Sequence, residues 1–212
     1  MQTALLIDQL TQRVDPVPHR PVARALAPGL LTGAVLSLCL VAAVYGIQPG
    51  LGTFDHGAPF LMKLCYAGTL AGIALALTSA LARPGIDAPS WRLLLLPVGG
   101  LLLLAAFQFA QSPMAAWPAM MMGGSWDKCP WRVIALAVPV FAGLTVVTRR
   151  QAPTQLRRAG TAIGLASGAT AASIYALACT ESSAAFVLIW YSLGIALCAG
   201  LGALVGPRLL RW

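Results

Sequence analysis

The sequence predicts an all-α membrane protein: a six-transmembrane-helix bundle preceded by a short cytoplasmic N-terminal amphipathic helix. Three observations predict it. Of 212 residues, 58% are hydrophobic and 9% charged, against about 25% charged in a soluble domain, so a water-facing surface cannot be assembled. The apolar residues gather in six runs, 27–47, 59–81, 91–109, 131–148, 159–178 and 185–205, each near the roughly 20 residues that cross a bilayer. The basic residues cluster at the ends of these runs and in the gaps between them.

Taken in order, residues 1–14 read as an amphipathic helix. Leu6, Ile7, Leu10 and Val14 share one face, with Asp8, Gln9 and Gln12 opposite, at helical spacing. Asp15-Pro16-Val17-Pro18 ends it, because each proline removes a donor and turns its predecessor away from the helix. Such a stripe suits an interfacial helix lying on the bilayer or a helix docked in a partner's groove; the spacing does not choose between them. The polar lead is too long for a signal-peptide n-region, and no small-x-small cleavage site follows the first run, so it is expected to stay with the mature chain. The chain thus divides into a segment 1–26 and a membrane domain 27–212. The fourth run is the shortest and contains Pro139, where a kink is expected and tolerated if neighbours satisfy the freed carbonyl.

The net charge of +8 does not point to nucleic acid, since no basic stripe forms. It is a topology signal. Eleven arginines (13, 20, 24, 83, 92, 149, 150, 157, 158, 208 and 211) fall on one side, and Lys63, Lys128 and Arg132 on the other. That asymmetry puts both termini in the cytoplasm. Small residues recur every fourth position at Gly160, Gly164 and Gly168, at Gly68, Gly72 and Ala76, and at Gly202 and Gly206, a spacing that lets helix backbones approach closely in lipid. Packing within one chain is the first explanation and a homodimer interface the second.

Several function classes are excluded or disfavoured. No inverted repeat is visible, the runs hold no acidic residue, and their uncharged polar candidates stop at Gln108 and a few hydroxyls, which disfavours ion-coupled transport. The only histidines, His19 and His56, fall on opposite sides and lack a G-x-S-x-G partner. No phosphate-binding loop, dinucleotide fingerprint or C-x-x-C occurs, so neither an enzyme nor a bound cofactor is expected.

The five cysteines need separate placement. Cys39 and Cys198 fall inside runs, where a thiol acts as a small apolar group; Cys65 lies near an outer end. Cys129 and Cys179 both reach the outer boundary, one before the fourth run and one after the fifth. Lys128, Arg132 and a helix start at Pro130 would favour thiolate at Cys129, while Cys179 follows a helix C-terminus beside Glu181. An asymmetric pair, one attacking and one resolving, suits reversible disulfide chemistry. A permanent structural disulfide and a soft-metal site, with Cys129 and Cys179 as ligands beside Met120-Met121-Met122 and His56, remain as alternatives.

With these residues in view, the chain resembles the NrsF/OsrA-type family of six-helix bacterial membrane anti-sigma factors. The likeness rests on the leucine-bearing lead, Cys129 with Pro139 ten residues on, Ala152-Pro153, Ala159-Gly160, Tyr175 to Cys179 with Glu181, Phe186, Trp190-Tyr191, Gly194 and the ending Gly206-Pro207-Arg208-Leu209-Leu210-Arg211-Trp212. Pro130-Trp131 after the first cysteine departs from the usual continuation. The resemblance implies a protein that holds an extracytoplasmic-function sigma factor at the inner membrane and releases it when stress acts on the outer cysteines. It implies Cys129 and Cys179 as the sensing pair, by oxidation or by a thiophilic metal, and Leu6, Ile7, Leu10 and Val14 as the sigma contact. The reading from another class is a membrane thiol–disulfide or soft-metal-handling protein with no sigma partner.

Overall fold

The computed structural model describes Thr3 and residues 22–48, 54–83 and 88–211. The stripe predicted at Leu6, Ile7, Leu10 and Val14, with most of segment 1–26, lies outside the described residues. Within them the chain is helical, without strands. Helix α1 (Val22–Leu40) continues through a π turn, Val41–Tyr45. It is followed by α2 (Phe54–Leu81), then by α3 (Leu95–Gln111), which is entered through a 3-10 turn at Trp91–Leu94. A short α4 (Trp117–Met122) stands in the loop before α5 (Cys129–Arg149). Then come α6 (Leu156–Tyr175) and α7, which opens at Ala184–Phe186, passes a π turn at Val187–Tyr191 and runs on as Ser192–Leu209.

Among the described residues five helices are long and apolar enough to cross a membrane: Arg24–Tyr45, Gly57–Leu81, Trp91–Gln111, Cys129–Arg149 and Ala184–Leu209. The fifth predicted run became α6, which falls outside that set because Gly, Ala, Ser and Thr make up most of it. The reason is its place. Helix α6 packs against α2, α5 and α7, and most of its residues are buried. Its surface therefore meets other helices, where close approach counts for more than hydropathy.

Gly160 lies against the backbone of Gly202 and Gly206, Gly164 against Cys198, and Gly168 against Ile195 and Cys198. The fifth-run stripe is thus used inside the chain, in an antiparallel crossing of α6 and α7. A second crossing, not singled out from sequence, sets Gly29 of α1 on Gly143 of α5 and Gly33 on Val140. Helix α5 is continuous through Pro139, and Ser37 donates to the Leu136 carbonyl at 2.7 Å, next to the Ala135 carbonyl that the proline leaves without its intrahelical donor. By contrast, nothing among the described residues lies within 4 Å of a Cβ built at Gly68 or Gly72, and Ala76 is exposed; packing among the described helices does not account for that stripe.

These environments set a paired expectation. Gly164→Ala drives a methyl into the Cys198 carbonyl and should lower stability by about 1–3 kcal/mol. Gly68→Ala enters open space and should gain about 0.5–1 kcal/mol from backbone entropy. Thermal unfolding of the two variants in one detergent checks both signs.

The core falls into two clusters, one at each end. Leu26, Leu77, Leu144, Ile163 and Leu210 fill the arginine-rich end. Tyr66, Cys129, Tyr175, Cys179, Phe186 and Tyr191 fill the other.

Candidate functional site

The charge-poor end gathers both singled-out cysteines into that second cluster. Pro130, with its preset φ, stands in the first turn of α5, as its fit to that position predicts, and Cys129 is the first helical residue. Its N–H donates to the Ser125 carbonyl at 2.9 Å. Cys179 closes the turn after α6, its N–H bonded to the Tyr175 carbonyl at 3.1 Å. Both thiols are free and buried, Cys129 at 0% and Cys179 at 2% exposure. The sequence expectation put both at the water boundary; instead the loops fold over them.

Glu181 makes that cover. Its Oε1 accepts from the Gly124 N–H at 2.8 Å and from the Ser125 hydroxyl at 3.1 Å. Gly123, which ends α4 at φ +57°, is left-handed, where glycine costs least, and any Cβ there would strike the Glu181 carboxylate. The loop before Cys129 is thereby clasped to the loop after Cys179. Trp190 Nε1 adds a bond to the Met121 carbonyl at 2.9 Å, and Trp126 stacks on Trp190 at 5.4 Å. Gln108 Oε1 accepts from the Ala184 N–H at 2.8 Å, capping a helix start that lacks an internal partner. Glu181→Ala should cost about 1–2 kcal/mol, the worth of hydrogen bonds to a part-buried charged acceptor. It should also speed protease cutting between 123 and 128; a Gln replacement, which can still accept, should recover part of both.

The cations sit differently from the sequence expectation. Lys128 is exposed. Arg132 turns to the tyrosines: its Nη1 donates to Tyr175 Oη at 3.0 Å, and its guanidinium stands 4.8 Å from the Tyr45 ring. The group brought to the thiols is Lys63 of α2, 2% exposed, whose Nζ donates to the Cys179 carbonyl at 2.5 Å. The Glu181 carboxylate lies within electrostatic reach of it. Sequence reading counted Lys63 only as a topology charge, yet a lone ionisable residue inside an apolar run is itself a functional signal.

Tyr175 and Tyr191 complete the site, with ring centroids 6.0 Å apart. Tyr191 is fully buried, and its hydroxyl has no hydrogen-bond partner among the described residues. Each π turn ends on a tyrosine of this site, Tyr45 or Tyr191, in keeping with the tendency of π turns to mark functional positions. Among the described residues no group of three or more His, Cys, Asp or Glu side chains gathers that could hold a metal ion.

The chain matches the family described as Negative regulator of sigma F over residues 10–212. Two known proteins are similar over the full length of both chains. One is the probable anti-sigma-F factor NrsF of Azospira oryzae, 34% identical over 214 residues. The other is the anti-sigma-F factor NrsF of Caulobacter vibrioides, 34% identical over 218 residues. No solved structure matches the chain.

Proposed function

Since the chain belongs to the NrsF family, negative regulators of sigma F, we propose that it is an anti-sigma factor held in the bacterial inner membrane. In this reading all six long helices span, with α6 shielded from lipid by its neighbours, and both termini are cytoplasmic. The protein retains an extracytoplasmic-function sigma factor through the N-terminal stripe Leu6, Ile7, Leu10 and Val14. It releases that partner when Cys129 and Cys179, on the periplasmic side, form a disulfide. Capture is by protein contact, with no nucleic acid bound directly.

One observation carries the sensor half: two free thiols from distant parts of the chain share one buried cluster, and their loops are clasped by Glu181. The balance is simple. The two thiols give two electrons and two protons to a hydroperoxide, whose O–O bond breaks to an alcohol and water as the S–S bond forms. A disulfide needs the two Cα atoms about 5.5–6 Å apart, so closing it sets the start of α5 against the end of α6. A thiophilic metal bridging the same sulfurs would pull the same two helix ends together.

The test is recovery of the detergent-solubilised protein from its host, with and without peroxide, while both thiols are trapped. A sigma factor that is recovered and then lost as the pair oxidises is the expected result. Oxidation with no sigma factor recovered in either state would replace this reading with a thiol-handling membrane protein. A pair already bridged in unstressed cells would make it a structural staple.

A further inference from the structure

Lys63 places a basic side chain in a buried site and bonds it to no carboxylate among the described residues. Its hydrogen bond goes to a neutral carbonyl, and the Glu181 carboxylate it feels is engaged by Gly124 and Ser125. A buried ammonium is costly unless a negative group offsets it. Next to it stands a second unsatisfied donor. The Tyr191 hydroxyl is sealed, without a hydrogen-bond partner among the described residues, in the core cluster that holds Cys179. One donor is bonded to the Cys179 carbonyl, and another lies unpaired in the cluster around its thiol.

We infer that Cys179 is the attacking thiol of the pair and that Lys63 is its positioning residue, supplying the positive charge that faces the sulfur anion. This reverses the order expected from Lys128 and Arg132: Lys128 is exposed, and the Arg132 hydrogen bond goes to Tyr175. It rests on the redox reading above and fixes its direction. The deprotonated Cys179 sulfur attacks one oxygen of a hydroperoxide, the O–O bond breaks, and the departing oxygen leaves as an alcohol with the proton given up by Cys179. The sulfenic acid so formed is attacked by Cys129; the S–S bond closes and hydroxide departs with the Cys129 proton as water. Lys63 and Tyr191 donate to the sulfur while it carries charge, and neither is consumed.

The experiment is iodoacetamide labelling of the full chain in detergent at one pH, with each cysteine followed separately by peptide mass spectrometry. It compares the wild type with Lys63→Met, Lys63→Arg and Tyr191→Phe. Lys63→Met should slow Cys179 labelling about ten-fold by removing the facing charge, and Lys63→Arg should restore it to within about three-fold. Tyr191→Phe keeps the ring and removes one donor, so it should slow the same site about three-fold. Cys39 and Cys65, both exposed, should label alike in all four proteins, which reports that the fold is kept. Equal Cys179 rates in wild type and Lys63→Met, faster labelling at Cys129 than at Cys179, or equal slowing by Met and Arg would each overturn the inference. If Lys63→Met alters Cys39 or Cys65, Tyr191→Phe decides: an unchanged Cys179 rate there overturns it. The assay uses no oxidant and no sigma factor. A Lys63-dependent Cys179 in a protein that never releases a partner would therefore sink the sensor reading and leave this one standing.

Discussion

Serine at either Cys129 or Cys179 is expected to abolish peroxide-triggered release of the sigma factor while leaving its capture intact. Both sulfurs are needed for the S–S bond, so each single variant should fail as completely as the double. Serine is close in volume, and the cost of burying its hydroxyl, about 1–3 kcal/mol, falls at the end of the bundle far from the arginine-rich helix ends. The route between the ends is short in sequence. Helix α5 begins at Cys129 and α6 ends four residues before Cys179; at their far ends the two are joined by the turn 150–155. In that turn Ala152 sits at φ +53°, a left-handed conformation uncommon for a residue with a side chain. A register change imposed at the cysteines has little slack to absorb it before it reaches that turn. The check is co-purification of the sigma factor before and after peroxide, with a non-reducing gel to follow the bridge. Full release from either serine variant would remove the pair from the mechanism.

The helices were legible because lipid leaves little choice: a chain this apolar must satisfy its backbone internally. The end-to-end charge asymmetry was legible for the same reason, since arginines interrupt the apolar runs where the helices end. Three things were not. Helix α6 reads as a span by length but owes its composition to burial among other helices, and hydropathy alone cannot separate small from lipid-facing. The α1–α5 crossing at Gly29, Gly33 and Gly143 pairs residues more than a hundred positions apart, beyond any local pattern. The third is the site. Cys129 and Cys179 stood out by their place at run boundaries, and the structure does bring them into one cluster. The charge beside them was misread, because adjacency in sequence favoured Lys128 and Arg132, while the fold turns Arg132 toward Tyr45 and Tyr175 and carries Lys63 in from another helix. Glu181 was noted only as a neighbour of Cys179; that it clasps the loop before Cys129 depends on the tertiary fold.

Removing residues 1–14, or replacing both Leu6 and Leu10 with Asp, is expected to end sigma-factor retention in every redox state. If the stripe of Leu6, Ile7, Leu10 and Val14 lies in a groove of the partner, each buried leucine contributes about 1.5–3 kcal/mol. Losing two while burying carboxylates in their place then weakens binding by about 100-fold or more. The bundle itself should be indifferent: among the described residues its clusters draw on Leu26 onward. Oxidation of Cys129 and Cys179 should therefore proceed at the wild-type rate in the truncated protein. That combination, a working thiol pair with nothing to release, separates a docking helix from one that merely rests on the bilayer. Were retention to survive the truncation, the stripe would be a membrane contact, and capture would pass to the basic connection that carries Arg149, Arg150, Arg157 and Arg158. Charge reversal at those arginines would then produce the loss expected here of Leu6 and Leu10, and its salt dependence would mark the contact as electrostatic rather than apolar.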